Sequence, residues 1–267
     1  MAITVTEETV EQYHRDGVVL LRGLFEPWIE GVRSAIEENK AAPSWRERTY
    51  RPGDGRSPFF QDYCVWNRFD GYRALVVASP MARIAARLMR SSTARVFHDH
   101  VLVKEPGNST ETPWHHDLPY YLVDSPCTVS FWVPADPVPR DRGIEYVAGS
   151  HRWGRSFRPT RFDGTPLYAD DPSDPVPDLD ANRDALEIRS WDVEPGDAIA
   201  FDFSTLHRAA ANHSELRRRV TSVRWVGDGA LFVERAGTTS PSFPDLVYRD
   251  GDPFEGDEFP QLWPPPG

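Results

Sequence analysis

Apolar positions in the first ninety residues recur mostly at helical spacing, which indicates amphipathic helices. With Pro and capping residues as start signals, the pattern predicts helices over 4–16, 27–39 and from 79 onward, with a strand over 18–21. Thr4, followed three residues later by Glu7, has the form of a capping box for the first helix. We therefore expect the chain to be mainly helical up to about residue 92.

From residue 94 onward the pattern changes to that of strands, with a period of two over 94–104 and short segments rich in β-branched and aromatic residues after it. Strands are predicted over 94–104, 127–133, 144–147, 186–193, 197–203, 207–211 and 220–226. Helices followed by about eight short strands predict a mainly β fold with flanking α. The expected architecture is a double-stranded β-helix, a jelly roll of the cupin type, buttressed by the N-terminal helices. We expect one domain over 1–267, with its core over 93–226 and a tail over 227–267.

Two stretches without periodicity are long for connections inside one domain. Residues 40–62 are rich in Arg, Pro and Gly, and residues 154–185 are polar and rich in Pro and Asp. Loops of this length are commonly functional, and catalytic loops are usually carried on a rigid scaffold. We expect both stretches to border a substrate entrance.

Composition excludes several classes of function. The 267 residues, 39% of them hydrophobic, are enough to form a large core. A net charge of −11 argues against a nucleic-acid partner or an anionic membrane surface. Cys64 and Cys127 are too few for a disulfide framework, and neither a signal peptide nor an apolar run of membrane length is visible. We expect a cytoplasmic protein that binds a small molecule, either as a monomer or as a homodimer.

The candidate chemistry lies in Trp114-His115-His116-Asp117 and in His207. Two imidazoles and one carboxylate on one face of a ferrous ion form the ligand set of non-haem oxygenases, which leaves the other face open. On an extended segment His115 and Asp117 would point the same way, and His116 would point away. The same donors with a water also describe a hydrolytic zinc site. A cupin-type binding protein without catalysis is a further alternative.

Several motifs together resemble the phytanoyl-CoA dioxygenase family of ferrous, 2-oxoglutarate-dependent oxygenases. They are Asp16-Gly17-Val18-Val19, Lys104-Glu105-Pro106-Gly107, Trp114-His115-His116-Asp117, Phe131-Trp132-Val133-Pro134, the run from Gly143 to Gly154, and His207 through Arg219. The resemblance extends from about residue 10 to 226, and the Pro-rich tail is similar to that of bacterial members from secondary metabolism. His116 is a departure, because the family often has Gln at this position.

The resemblance implies roles for particular residues. It implies that His115, Asp117 and His207 hold iron and that Arg218 pairs with the far carboxylate of 2-oxoglutarate, which a planar guanidinium suits. Further contacts are expected to the co-substrate from Trp132, Lys104 and His98, and to the substrate from Tyr120 and Tyr121. Core packing is the alternative for Trp132, and a polar barrel lining for His98 and Lys104. Arg217 and Arg219 are expected to be solvated.

The resemblance thus implies a dioxygenase that uses Fe(II), 2-oxoglutarate and O2. It would hydroxylate or otherwise oxidise an unactivated C–H of a small metabolite, with release of succinate and CO2. Arg218 disfavours a zinc hydrolase, which needs no such anchor, and Asp117 disfavours a halogenase, which lacks this carboxylate. The substrate and the choice among hydroxylation, desaturation, epoxidation and cyclisation stay open. A free metabolite is favoured over an acyl-CoA, because no basic cluster for a CoA phosphate is evident.

Overall fold

The computed structural model describes residues 5–51, 57–161 and 164–265. Its α-helices are α1 (Glu7–Asp16), α2 (Ile29–Ala41), α3 (Asp70–Arg73) and α4 (Met81–Met89). Its strands are β1 (Val18–Leu21), β2 (Phe59–Tyr63), β3 (Ala94–Lys104), β4 (Thr112–His115), β5 (Val123–Asp124), β6 (Thr128–Pro134), β7 (Ile144–Val147), β8 (Ile188–Arg189), β9 (Ala198–Phe201), β10 (His207–Ala209), β11 (Arg218–Val226), β12 (Leu231–Phe232) and β13 (Gln261–Trp263). A π-helical turn, Ala74–Ala78, continues α3.

The first helix begins later than the sequence pattern predicts. It starts at Glu7, and the cap is Thr6, whose side-chain oxygen accepts a hydrogen bond from the N–H of Thr9 at 3.2 Å. Thr4, the predicted capping residue, lies outside the described residues. Thr6 meets the same chemical requirement, because either threonine carries the oxygen that a helix N-terminus needs.

Two antiparallel sheets enclose the interior. The larger has the order β1-β9-β6-β11-β3, with β2 and β13 paired to the remaining edge of β3. The smaller has the order β4-β10-β7-β8, and β5 forms a separate ribbon with β12. This is the mainly β, double-stranded β-helix that the order of helices and strands predicts. No helix in the described parts of the chain has the length and apolarity that a membrane span requires.

Alternation along the central strands separates a helix-covered face from the space between the sheets. In β6, Phe131 and Val133 belong to the main core, together with apolar residues of α1, α2 and α4. Trp132, between them, belongs to a second cluster that includes Tyr146 of the smaller sheet. Because successive strand residues face opposite ways, the helices brace one side of the large sheet and leave the other side for the candidate site.

Two predicted boundaries are wrong. Residues 59–62, at the end of the predicted loop 40–62, belong to β2, whose pairing with β3 a local pattern could not reveal, since the strand contains the polar Gln61 and Asp62. The strand predicted over 186–193 is reduced to two residues. Val193 leaves the sheet and instead forms an isolated bridge with Val138.

The tail after residue 226 is part of the fold. It adds β13 to the edge of β3, at Ala94 and Arg95. Phe254 and Phe259 are fully buried and pack around Phe97, with ring centroids 5.4 and 5.7 Å from that ring. These aromatic contacts hold the tail against the N-terminal part of β3.

Candidate metal and co-substrate site

Three donor side chains meet between the sheets at one end of the smaller sheet. His115 ends β4, His207 begins β10, and the two are directly paired across these strands. Nε2 of His115 lies 3.6 Å from Oδ1 of Asp117, and Nε2 of His207 lies 3.9 Å from the same oxygen. One donor atom from each residue lies within 4.8 Å of the others, so the trio could hold a metal ion.

Asp117 reaches this position through a turn. The strand ends at His115, and Asp117 has helical backbone angles, φ −75° and ψ −35°. The N–H groups of Asp117 and Leu118 both donate to the carbonyl of Phe203, at 2.8 and 3.0 Å, and so hold the turn in place. The extended geometry expected for 115–117 is therefore wrong, although the two side chains converge as expected.

His116 points away from the trio. Its Nε2 accepts a hydrogen bond from the N–H of Phe157 at 2.9 Å, and its ring packs against the Phe157 ring. Burial lowers the pKa of His116 to about 4, so the imidazole is a neutral acceptor at ordinary pH. His116 therefore anchors the long stretch 154–185 to the segment that carries the metal donors.

Backbone carbonyls orient both imidazoles. Nδ1 of His115 lies 2.8 Å from the Pro113 carbonyl, and Nδ1 of His207 lies 2.9 Å from the Thr205 carbonyl. A carbonyl only accepts, so each Nδ1 carries the proton and each Nε2 presents its lone pair to the site. Burial lowers the pKa of His207 to about 3, which keeps this imidazole in the neutral form that a metal requires.

Arg224, which the sequence analysis did not single out, completes the surroundings of the carboxylate. It is buried in β11, its guanidinium contacts Asp117, and its Nε donates to the hydroxyl of Tyr121 at 2.9 Å. Burial by itself raises the pKa of Asp117, but Arg224 and then the two imidazoles outweigh it, so the pKa lies well below its usual range. The sequence could have indicated Arg224, because it lies six residues after Arg218 and would face the same side of an extended segment.

A second feature is a pair of buried cations on neighbouring strands. Lys104 of β3 is paired in register with Arg218 of β11. Lys104 Nζ donates to the carbonyls of Thr110 and Ala210 at 2.5 and 3.0 Å, and Arg218 donates to the carbonyls of Ala210 and Arg142. Neither cation has a carboxylate within 4.0 Å among the described residues.

Among the described residues the pair has no counter-ion, although burying an unpaired charge is costly. Burial lowers the pKa of Arg218 to about 10, and burial followed by the charge of Arg218 lowers the pKa of Lys104 well below its usual range. Two desolvated positive charges destabilise the fold unless an anion neutralises them. The arrangement is therefore a ready receptor for a carboxylate.

The remaining predicted contacts divide into two groups. Trp132, Tyr120 and Tyr121 line the same cavity as the metal donors and the cation pair, although Trp132 also packs in the core between the sheets. His98 does not line it. The strands pair without a break from Lys104–Arg218 to His98–Arg224, and the register shifts only beyond His98. His98 is instead packed against Tyr121 and Tyr63, with ring centroids 5.0 and 6.5 Å away, and both tyrosines line the cavity.

Arg217 and Arg219 are not simply solvated, as the sequence suggested. Arg219 forms a forked ion pair with Asp136, at 2.7 and 3.0 Å, and Arg217 pairs with Glu105 at 2.8 Å. Both arginines also approach Glu37 of α2, which lies on the outer side of the large sheet. Of the three consecutive arginines, Arg218 alone lines the cavity.

The cavity measures about 590 Å³ and opens beside three distant stretches of chain. Part of its lining comes from the predicted entrance segments 40–62 and 154–185, and a third part comes from the tail. The contributing residues are Arg48, Thr49, Tyr50, Phe59, Gln61, Thr160, Arg161, Leu167 and Thr238–Ser240. The lining is exposed at Arg48, Tyr50 and Arg161, which form the mouth, and it is buried at Asp117, His207 and the cation pair.

Comparison with known proteins decides the family. Residues 13–220 match the model of the phytanoyl-CoA dioxygenase (PhyH) family. The chain belongs to this family. It is therefore an enzyme of the 2-oxoglutarate-dependent non-haem iron class, as its motifs predict, and its co-substrates are 2-oxoglutarate and O2. No curated protein sequence matches the chain.

Several solved structures share the fold over almost the whole length of this PhyH family member. The non-haem α-ketoglutarate-dependent carbocyclase SnoK from nogalamycin biosynthesis is 26% identical, with a TM-score of 0.75 and 96% of each chain covered. The epimerase SnoN, in complex with Fe3+, α-ketoglutarate and nogalamycin RO, shares the fold at 22% identity and TM-score 0.77, covering 96% of this chain and 98% of its own. EctD from S. alaskensis, with 2-oxoglutarate and 5-hydroxyectoine, shares the fold at 17% identity and TM-score 0.69, covering 93% and 85%.

Proposed function

We propose that His115, Asp117 and His207 hold Fe(II) in this enzyme, and that Lys104 and Arg218 hold the far carboxylate of 2-oxoglutarate. The observation that carries the proposal is the buried cation pair without a counter-ion, in the same cavity as a two-histidine, one-carboxylate trio. The bound iron would supply O2 activation, coupled to decarboxylation of 2-oxoglutarate to succinate and CO2. The reaction is the oxidation of an unactivated C–H of a small organic molecule, by hydroxylation or a related outcome.

The donor set fits ferrous iron. Both imidazoles are held with Nε2 free by their Nδ1 hydrogen bonds, and Asp117 is kept ionised by Arg224 and the imidazoles. Two neutral nitrogens and one carboxylate suit ferrous iron and leave coordination positions for a chelating co-substrate. His207 and Asp117 are thus already in the protonation state that metal binding requires.

The cation pair fits the other end of 2-oxoglutarate. A guanidinium can grip a carboxylate through two parallel hydrogen bonds, and the Lys104 ammonium adds a second positive charge beside it. Binding would place one negative charge beside two uncompensated buried cations, which favours a dicarboxylate over a monocarboxylate. The carbonyls of Thr110, Ala210 and Arg142 hold both cations in place.

We also propose that residues 1–267 form a single domain. The large sheet supports this, because it takes β1 and β2 from the N-terminal part and β13 from the tail. The net charge of −11 supports a protein without a nucleic-acid or membrane partner, and the two cysteines fit the reducing environment of the cytoplasm. Light scattering during size-exclusion chromatography decides between a monomer and a homodimer.

The test is metal-dependent succinate formation. Metal-free protein is reconstituted separately with Fe(II) and with Zn(II), supplied with 2-oxoglutarate, O2 and a panel of metabolites, and its products are read by mass spectrometry. Succinate and an oxidised metabolite are expected with iron only, and Asp117→Ala should abolish both. Arg83→Gln, an exposed change on α4, should leave them unchanged. Full turnover with zinc and none with iron would falsify the assignment and favour the hydrolase.

A further inference from the structure

The charges lining the cavity are almost all positive. Among the described lining residues there are five cations, Arg48, Lys104, Arg161, Arg218 and Arg224, and one carboxylate, Asp117. The whole chain carries a net charge of −11, so this excess runs against its overall balance. A positive concave site in an acidic protein focuses its field on ligands of negative charge.

Iron and 2-oxoglutarate leave this excess in place. If they bind as proposed, the two charges of Fe(II) cancel those of the 2-oxoglutarate dianion. Asp117 then offsets one of the three buried cations, Lys104, Arg218 and Arg224. Two positive charges remain in the deep end before those at the mouth are counted. A cationic substrate would therefore be repelled, and an anionic one attracted, at low local dielectric.

Two arginines at the mouth are not among the residues proposed to bind iron or 2-oxoglutarate. Arg48 comes from the first entrance segment, and its Nη1 donates to the carbonyl of Glu47 at 2.9 Å. Arg161 comes from the second, and it donates to the carbonyls of Leu167, at 2.9 Å, and Pro166. Within the described parts of the chain, no carboxylate lies within 4.0 Å of either guanidinium. Toward the described residues, both charges are therefore free to bind a ligand.

Beside the metal donors the wall is largely aromatic. Tyr63 is stacked on His100 with ring centroids 4.0 Å apart, and the Tyr120 ring lies 5.9 Å from that of His115. Such a wall suits an apolar carbon skeleton rather than a second polar group. The cavity thus offers cations at its opening and aromatic contacts next to His115, Asp117 and His207.

We propose that the substrate is an organic acid: an apolar skeleton that carries an anionic group, with that group held by Arg48 and Arg161 at the mouth. This inference rests on the proposed function, because it assigns the remaining cations after iron and 2-oxoglutarate are in place. The skeleton then extends along Tyr63 and His100 toward His115, Asp117 and His207. Arginine suits the role because its planar fork binds carboxylates and related anions in a fixed orientation.

The experiment uses two fluorescent probes with one skeleton. These are 8-anilinonaphthalene-1-sulfonate and its neutral counterpart N-phenyl-1-naphthylamine, titrated anaerobically into the full chain loaded with Fe(II) and 2-oxoglutarate. The unaltered protein should bind the anionic probe about tenfold or more tightly than the neutral one, the effect of one charge-assisted contact. The double variant Arg48→Gln, Arg161→Gln should bring the two affinities to within about twofold, with neutral-probe binding unchanged.

The matched control is Arg83→Gln, which removes one positive charge from the exposed face of α4, outside the cavity lining. It should retain the full preference for the anionic probe. The inference is overturned if the unaltered protein shows no preference, if the double variant keeps it, or if the control loses as much.

The visible absorbance of the anaerobic iron–2-oxoglutarate complex is recorded for every variant. If the complex forms in all of them while the preference is missing, the inference fails and the proposed function stands. If the complex fails to form in the unaltered chain, the proposed function fails, and the inference falls with it.

Discussion

The Nη2 atom of Arg224 lies 3.4 Å from Oδ2 of Asp117, and both side chains are buried. The guanidinium is held in turn by the Ser222 carbonyl, which accepts from its Nη1 at 3.0 Å, and by the Tyr121 hydroxyl. Asp117 is thereby kept charged, with its other oxygen facing the two histidines. The carboxylate is oriented by the protein before any metal arrives.

Replacing Arg224 should weaken metal binding although this residue is not a ligand. Loss of an outer contact to a ligand typically reduces metal affinity about 10–100-fold, and we expect a loss in this range for Arg224→Gln and a smaller one for Arg224→Lys. Competition between the protein and a coloured chelator for Fe(II) measures the affinity. Arg217→Gln removes the same charge on the outer side of the sheet and should have little effect. Equal losses at positions 217 and 224 would contradict a specific contact.

Substitutions of the two adjacent histidines should have different effects on iron binding. His115→Ala removes a donor and should abolish measurable binding, because two remaining ligands hold iron weakly. His116→Gln should retain binding, since its contact is with the Phe157 backbone. Equilibrium dialysis followed by metal analysis gives the stoichiometry of both variants. Iron retained by the first and lost by the second would reverse the assignment.

The three consecutive arginines should differ in their effect on 2-oxoglutarate. A hydrogen bond to a charged group contributes about 1.5–3 kcal/mol, so Arg218→Ala should raise the dissociation constant roughly tenfold to a hundredfold or more. Iron affinity should stay nearly intact. Arg217→Ala and Arg219→Ala should change 2-oxoglutarate binding little, because both side chains are ion-paired outside the cavity. Titration against the absorbance of the anaerobic iron complex compares them, and insensitivity of all three would remove the co-substrate assignment.

Asp99 should make the free energy of unfolding depend on pH. It is buried in β3, where its Oδ1 accepts from the N–H groups of Val65 and Trp66 at 2.7 and 2.9 Å, and burial raises its pKa to about 7. Its unfolded pKa is about 3.9. Because the native state holds a proton that the unfolded state releases, this contribution is full below about pH 3.9 and is lost as pH rises through 7.

Asp99→Asn keeps an acceptor for both N–H groups and removes the charge. Oδ2 of Asp99 has no hydrogen-bond partner within the described residues, so an amide nitrogen there replaces an unpaired oxygen. Relative to the unaltered protein, the variant should be more stable at pH 8 than at pH 5. Urea unfolding at both pH values measures the difference, with Asp170→Asn, an exposed change, as the control. A difference that shrinks from pH 5 to pH 8 would contradict the raised pKa.

Local spacing along single segments predicted much of this protein. The two-residue period of β11 places Arg218 on the cavity side and its neighbours outside, and the same period in β3 places Lys104 there. The β-branched and aromatic residues over 127–133 likewise predicted strand β6. These features follow from the sequence because the direction of a side chain in a strand depends only on its own segment.

Contacts between distant segments were decided by the tertiary structure alone. The direct pairing of His207 with His115 sets the distance between the imidazoles, and the Phe203 carbonyl holds the turn that brings Asp117 beside them. The contact between Arg224 and Asp117 arises in the same way, and the packing of Tyr121 and Tyr63 against His98 keeps that ring out of the cavity lining. Pairing partners, turns and register shifts depend on which strands become neighbours, and the period of one segment holds no record of that choice.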